Sequence, residues 1–96
     1  MTKRTKTGQK KHDEAVLRTV KNYESKGYNV KADLPGYPKP KNIKGHIPDV
    51  IAIKGAIEKI VEIETNVTKD KDKKQHEAFK DYASKKKKRE FRKRII

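Results

Sequence analysis

Three carboxylates stand where the surrounding sequence does not favour them. Asp49 follows Pro48 and lies among Ile47, Val50, Ile51 and Ile53. Apolar neighbours on both faces describe a central, buried strand. Asp is poorly suited to such a strand. Glu62 and Glu64 alternate with Val61 and Ile63, so both project to one face. Carboxylates withdrawn from water cost several kcal/mol unless they are paired or bind a cation. A hard divalent ion, Mg²⁺ or Mn²⁺, removes that cost with oxygen ligands. It can also activate a water and stabilise the leaving oxygen of a phosphodiester. The plainer alternative is a half-exposed strand with Val61 and Ile63 inside and both glutamates outside. It accounts well for Glu62 and Glu64 and less well for Asp49.

Bringing these groups together requires a hairpin. Residues 47–53 and 58–65 are strand-like, and the link Lys54–Ile57 is short. An antiparallel pair turning between Gly55 and Ala56 places Asp49 opposite Glu62, with Glu64 two residues further along. Upstream, Val16, Leu17, Val20 and Tyr23 form a helical stripe over about 10–26, closed by Gly27. Extended backward, that stripe reaches Asp13, with Glu14 at its edge. Residues 28–33 read as a first strand. Three Pro and two Gly within 34–46 exclude helix and mark an ordered loop. A second helix is expected over 69–87 on Phe79, Tyr82 and Ala83, and a last strand over the tail REFRKRII. The order α-β-β-β-α-β predicts a small α/β domain with a mixed sheet. Residues 1–9 read as a flexible basic arm and 10–96 as the single domain.

The 96 residues carry a formal charge of +14 and only 31% are apolar. No apolar run approaches the ~20 residues of a membrane span. The basic N-terminal stretch lacks the apolar segment of a secretory signal. There is no cysteine, which excludes disulfides, a thiolate nucleophile and Cys-bound zinc. A soluble protein of the cytoplasm is expected, with no membrane partner. Residues 1–11 hold five bases and no acid, whereas residues 85–94 hold eight bases and one acid. The middle is nearly balanced. Basic ends of this kind point to a polyanion, above all nucleic acid, held through its phosphates.

Pro48-Asp49, twelve intervening residues and then Glu62-Ile63-Glu64 resemble the PD-(D/E)XK nuclease superfamily. The surroundings agree: an acidic residue on the first helix (Asp13 or Glu14), the step Gly27-Tyr28 into the first strand, and Gln75 on the second helix. The arrangement is similar to archaeal Holliday-junction resolvases and small archaeal or viral endonuclease-like proteins, over residues 12–96. The resemblance implies a restriction-endonuclease-like fold and a metal-dependent DNA endonuclease, with junctions or branched DNA as substrates. It implies that Asp49 and Glu62 hold the metal, that Asp13 or Glu14 completes the shell, and that Gln75 lies near it. Glu64 stands where the family usually has lysine, a residue that orients or deprotonates the attacking water. Some members keep activity with Glu there. Lys69, Lys71, Lys73 or Lys74 could supply the missing charge. The alternative is a catalytically inactive nucleic-acid-binding protein on the same fold. A ribosome-associated basic protein is a weaker third possibility. A homodimer is expected, because the core is small and cutting duplexes or junctions takes two sites.

For contact with DNA, the sequence offers Lys39, Lys41 and Lys44 beside Tyr37 in the Pro-stiffened loop, and Lys85, Lys86, Lys87, Lys88 and Arg89 near the C-terminus. The loop is expected next to the carboxylates. His12 reads as a helix cap or a residue lining the site, His46 as an exposed loop residue, and His76 as surface.

Overall fold

The computed structural model describes residues 6–64 and 73–96, with side chains from residue 10 onward. Its elements are α1 (Lys6–Ser25), β1 (Asn29–Ala32), β2 (Val50–Lys54), β3 (Ile57–Glu64), α2 (Lys73–Ser84) and β4 (Arg89–Ile95). This is the order expected from the sequence. Helix α1 begins at Lys6, inside the stretch read as an arm. Residues 1–5 and 65–72 lie outside the described residues, and with them Lys69 and Lys71.

The four strands form one mixed sheet in the order β1-β2-β3-β4. β1–β2 and β2–β3 are antiparallel, and β3–β4 is parallel. Val50 pairs with Val61 and Lys54 with Ile57, leaving Gly55 and Ala56 as the turn. Gly55 takes a positive φ of 59° at the first turn position, as a type II′ hairpin asks of glycine. β2 is central and apolar on both faces. Val50 and Ala52 pack with Val61, Ile63 and the α1 residues Ala15, Val16, Val20 and Tyr23. Ile51 packs with Ile60 and the α2 residues Phe79 and Ala83 on the other face. The helices therefore cover opposite faces of the sheet.

The buried stripe of α1 runs His12, Ala15/Val16, Thr19/Val20 and Tyr23. Leu17 is half out of it and lies in a groove with Leu34 and Tyr37. Counting Leu17 in the stripe rotates the predicted face by about one residue. That is why it pointed to Asp13 and not to His12.

Helix α1 ends in a Schellman motif. The Tyr28 N–H donates to Tyr23 O at 3.1 Å and the Gly27 N–H to Glu24 O at 3.0 Å. The rings of Tyr23 and Tyr28 meet edge to face at 5.1 Å, closing the motif with an apolar contact. Gly27 has φ 88°, and a Cβ there would meet only Lys54 side-chain atoms at an ordinary 3.6 Å. The cost of a side chain is therefore conformational. Gly27→Ala is expected to destabilise the fold by about 1–2 kcal/mol in urea unfolding, with an unchanged m-value.

The loop from 33 to 49 is held by buried Pro40 and Ile43, by an Ile43–His46 bridge, and by Ala32 N–H donating to Pro38 O at 2.9 Å. No helix among the described residues is long and apolar enough to cross a membrane.

Candidate metal centre

The carboxylates meet at the end of the sheet where β2 begins and β3 ends. Pairing of β2 with β3 stops at Val50↔Val61. One residue further, side chains take over the hydrogen bonds. The Asp49 carboxylate accepts from Ile63 N–H at 2.9 Å, and Glu62 Oε1 accepts from Asp49 N–H at 2.9 Å. The Asp49 carbonyl accepts from Asp33 N–H at 2.9 Å, tying the start of β2 to the end of β1. Asp49 is thus fixed from three sides, opposite Glu62, in the register expected of the hairpin.

Glu62 and Glu64 both turn into the protein toward α2 and are only 2% and 1% exposed. The half-exposed reading of E-I-E is corrected by this. The parallel strand β4 and helix α2 cover the face that a two-stranded hairpin would leave open. Gln75, in the first described turn of α2, donates to Glu62 Oε2 at 2.9 Å. His76 Nε2 lies 3.2 Å from Glu64 Oε1. Glu64 Oε2 is buried without a hydrogen-bond partner among the described residues. On the other side, His12 Nε2 of α1 lies 3.3 Å from Asp49 Oδ2. Burial pushes Glu62 up to a pKa of about 9, helped by the charges of Asp49 and Glu64. Its hydrogen bonds from Asp49 N–H and Gln75 oppose the rise without cancelling it. The site residues of both helices, His12 of α1 and Gln75 and His76 of α2, come from their N-terminal halves.

A buried cluster in which the ionised form of Glu62 is this disfavoured suits a bound cation in place of the proton. Donor atoms of Glu62, Glu64 and His76 lie within 4.8 Å of one another. Asp49 joins them through Glu62.

Four of the expected residues come together: Asp49, Glu62, Glu64 and Gln75. Asp13 lies behind His12, whose Nδ1 is 3.5 Å from Asp13 Oδ1. Glu14 is exposed beside Leu17 on the groove that includes Leu34, Pro35 and Tyr37. Lys73 and Lys74 are exposed.

Of the histidines, His12 lines the site, one of the two places the sequence offered it, whereas the surface reading of His76 is corrected. His76 was expected at the surface but is 5% exposed, packed against the Phe91 ring at 5.8 Å. Its position three residues before Phe79 and seven before Ala83 puts it on the buried face of α2. His12 is equally buried, one turn before Val16. His46 is half-buried against Phe79 at 6.3 Å.

The basic loop is not beside the carboxylates. Lys41 bonds Glu58 at 3.1 Å and sits 4.6 Å over the Tyr82 ring. Arg89 donates to Glu58 at 2.9 Å and stacks on Tyr82 at 3.9 Å. Burial would raise the pKa of Glu58, but Lys41, Tyr82 and Arg89 outweigh it and hold the carboxyl below its ordinary range. Lys44 and Lys85 both pair with Asp81, and Lys39 is exposed. Lys86, Lys87 and Lys88 are exposed around a hollow of about 430 Å³ that includes Lys41, Glu58 and Arg89. This basic pole is at the hairpin end. Glu64 stands six residue steps along β3 from Glu58, a distance of about 20 Å. Other bases adjoin the site in sequence or register: Lys11 precedes His12, Lys73 and Lys74 precede Gln75, and Lys93 of β4 is the register partner of Glu62 of β3.

Comparison of the chain with protein-family models, with curated proteins and with solved structures gives no significant match.

Proposed function

We propose that the protein is a divalent-metal-dependent endonuclease that hydrolyses DNA phosphodiesters on a restriction-endonuclease-like fold. The observation that carries this reading is the convergence of Asp49, Glu62 and Glu64 at one end of the sheet. There burial and the neighbouring acids Asp49 and Glu64 disfavour the ionised form of Glu62, and Glu64 keeps one oxygen unpartnered among the described residues. Asp49 and Glu62 are the residues that would hold Mg²⁺ or Mn²⁺. A bound ion supplies positive charge at the scissile phosphate and a water acidic enough to attack near neutral pH. The protein's own part is orientation. His12 and Ile63 N–H fix Asp49, while Asp49 N–H and Gln75 fix the two Glu62 oxygens. Such outer partners typically matter ~10–100-fold in metal affinity or activity.

DNA is the partner in this reading, and the working form is a homodimer. Phosphates near the site would meet Lys11, Lys73, Lys74 and Lys93. Lys86, Lys87 and Lys88 would meet the same duplex about six base pairs away, at ~3.4 Å per step. Changing these three to Ser is expected to lower affinity about equally for all sequences. It should reduce the slope of log K against log salt by about 2–3, measured by titrating labelled duplex at several salt concentrations.

The test of function is a cleavage panel of four-way junction, flap, duplex and single strand in Mg²⁺ and Mn²⁺, with Asp49→Ala beside it. Cutting by the wild type alone supports the endonuclease. Salt-sensitive binding without cutting of any substrate supports the second reading, a non-catalytic nucleic-acid-binding protein. One observation favours that reading: among the described residues, no lysine is hydrogen-bonded to the three carboxylates, and Glu64 stands in the usual lysine position.

A further inference from the structure

We propose that His76 is itself a metal ligand and that Glu62, Glu64 and His76 form a mixed nitrogen–oxygen site preferring transition-metal ions to Mg²⁺. The proposal rests on the reading that this cluster holds a cation, but it goes beyond the all-oxygen set implied by the resemblance.

The three side chains offer donor atoms within 4.8 Å of one another. His76 Nε2 and Glu64 Oε1 are 3.2 Å apart. Adjacent ligands of an ion with bonds of ~2.1 Å stand about 3 Å apart, so both groups are already at ligand spacing. A hydrogen-bonded Glu64–His76 pair would by itself satisfy only one carboxylate oxygen. The other, Oε2, is buried without a partner among the described residues, on a side chain that is 1% exposed. Leaving a buried acceptor unmet costs ~1–3 kcal/mol, and more for a charged group. An ion bound by both side chains meets that need.

The ligands are held. Gln75, the residue before His76, donates to Glu62, and Asp49 N–H donates to its other oxygen. The His76 ring packs against Phe91 of β4, and the Phe91 ring is packed in turn by Phe79 at 5.9 Å. A rigid imidazole next to two carboxylates discriminates by chemistry. Mg²⁺ seeks oxygen and keeps its waters, whereas Mn²⁺, Co²⁺ and Zn²⁺ accept imidazole nitrogen in increasing preference.

The experiment is pulsed electron paramagnetic resonance on the protein loaded with one equivalent of Mn²⁺, with histidine labelled by ¹⁵N. Nitrogen coupling that changes with the label shows histidine ligation. In the double variant His12→Gln/His46→Gln, with Mn²⁺ added to saturation to offset the affinity lost with the His12 contact to Asp49, His76 is the sole histidine and the coupling should remain. His76→Gln should lose it, with Mn²⁺ affinity down about 10–100-fold and Mg²⁺ affinity little changed in calorimetric titration. Mn²⁺ binding without nitrogen coupling overturns the proposal, as does coupling that disappears in the double variant. Should His76→Gln fail to fold, the labelled wild type and the double variant decide alone. The cleavage panel separates the two readings. Nitrogen-ligated Mn²⁺ with no cutting sinks the endonuclease and keeps His76 as a ligand. Cutting without nitrogen coupling does the reverse.

Discussion

Asp49→Asn is expected to remove most of the stabilisation by divalent cations and to reduce DNA cleavage by more than about 100-fold. In the wild type, millimolar Mn²⁺ or Mg²⁺ should raise the melting temperature, because an ion that binds only the folded protein stabilises it by mass action. An ion at ~100 times its Kd adds about 2.7 kcal/mol, roughly 10 °C or more for a domain this small. The magnitude for cleavage follows from the position of Asp49. Partners behind a metal ligand commonly matter ~10–100-fold. Asp49 is a ligand in this reading, and its backbone N–H also orients Glu62. Asn keeps the shape and can still accept from Ile63 N–H, so the fold should survive. Thermal melts with and without metal, run beside the cleavage assay, check both halves. A variant that still gains stability from Mn²⁺ and still cuts would remove Asp49 from the site.

The second large effect is on stability without metal. Glu62 has a pKa of about 9 in the fold against an ordinary 4.5. The folded protein therefore binds the Glu62 proton more tightly than the unfolded chain does. The associated stability is complete below pH about 4.5 and is lost as pH rises through about 9. Each pKa unit corresponds to ~1.4 kcal/mol. In EDTA, the melting temperature should therefore fall between pH 6 and pH 9, by at least about 5 °C. Saturating Mn²⁺ should flatten that dependence, since a cation replaces the proton as the partner of the cluster. Glu62→Gln should flatten it too without metal, raise the alkaline melting temperature, and lose the metal response. Gln still offers an oxygen to Asp49 N–H, and the Gln75 amide can turn to meet the new amide. A wild-type melting temperature that stays level from pH 6 to pH 9 in EDTA would refute the charge imbalance at Glu62.

Much of the scaffold could be read along the chain. Gly27, the Pro-rich loop and the short Lys54–Ile57 link punctuate it, so the element order follows from local chemistry. The register of β2 on β3 follows from the same source. A two-residue turn at Gly55 and Ala56 leaves only one pairing, and that pairing puts Asp49 opposite Glu62. The common face of Glu62 and Glu64 needs nothing beyond the two-residue period of a strand. These properties depend on neighbours a few residues apart.

What surrounds the carboxylates depends on neighbours far apart in sequence. Whether Glu62 and Glu64 meet water or protein was decided by the parallel addition of β4 and the packing of α2 over that face. Which α1 residue reaches Asp49 was decided by the rotation of the helix about its axis. One misassigned residue, Leu17, turns that rotation from His12 to Asp13. The basic residues show the same rule. Strand direction carries Lys41 and Lys85–Lys88 to the opposite end of the sheet from the three carboxylates, where Glu58 and Tyr82 hold Lys41 and Asp81 holds Lys85. Periodicity determines which way a side chain points relative to its own element. Only the packing of elements, driven by burial of Val50, Ile51, Ile63 and Phe79, determines what it meets there.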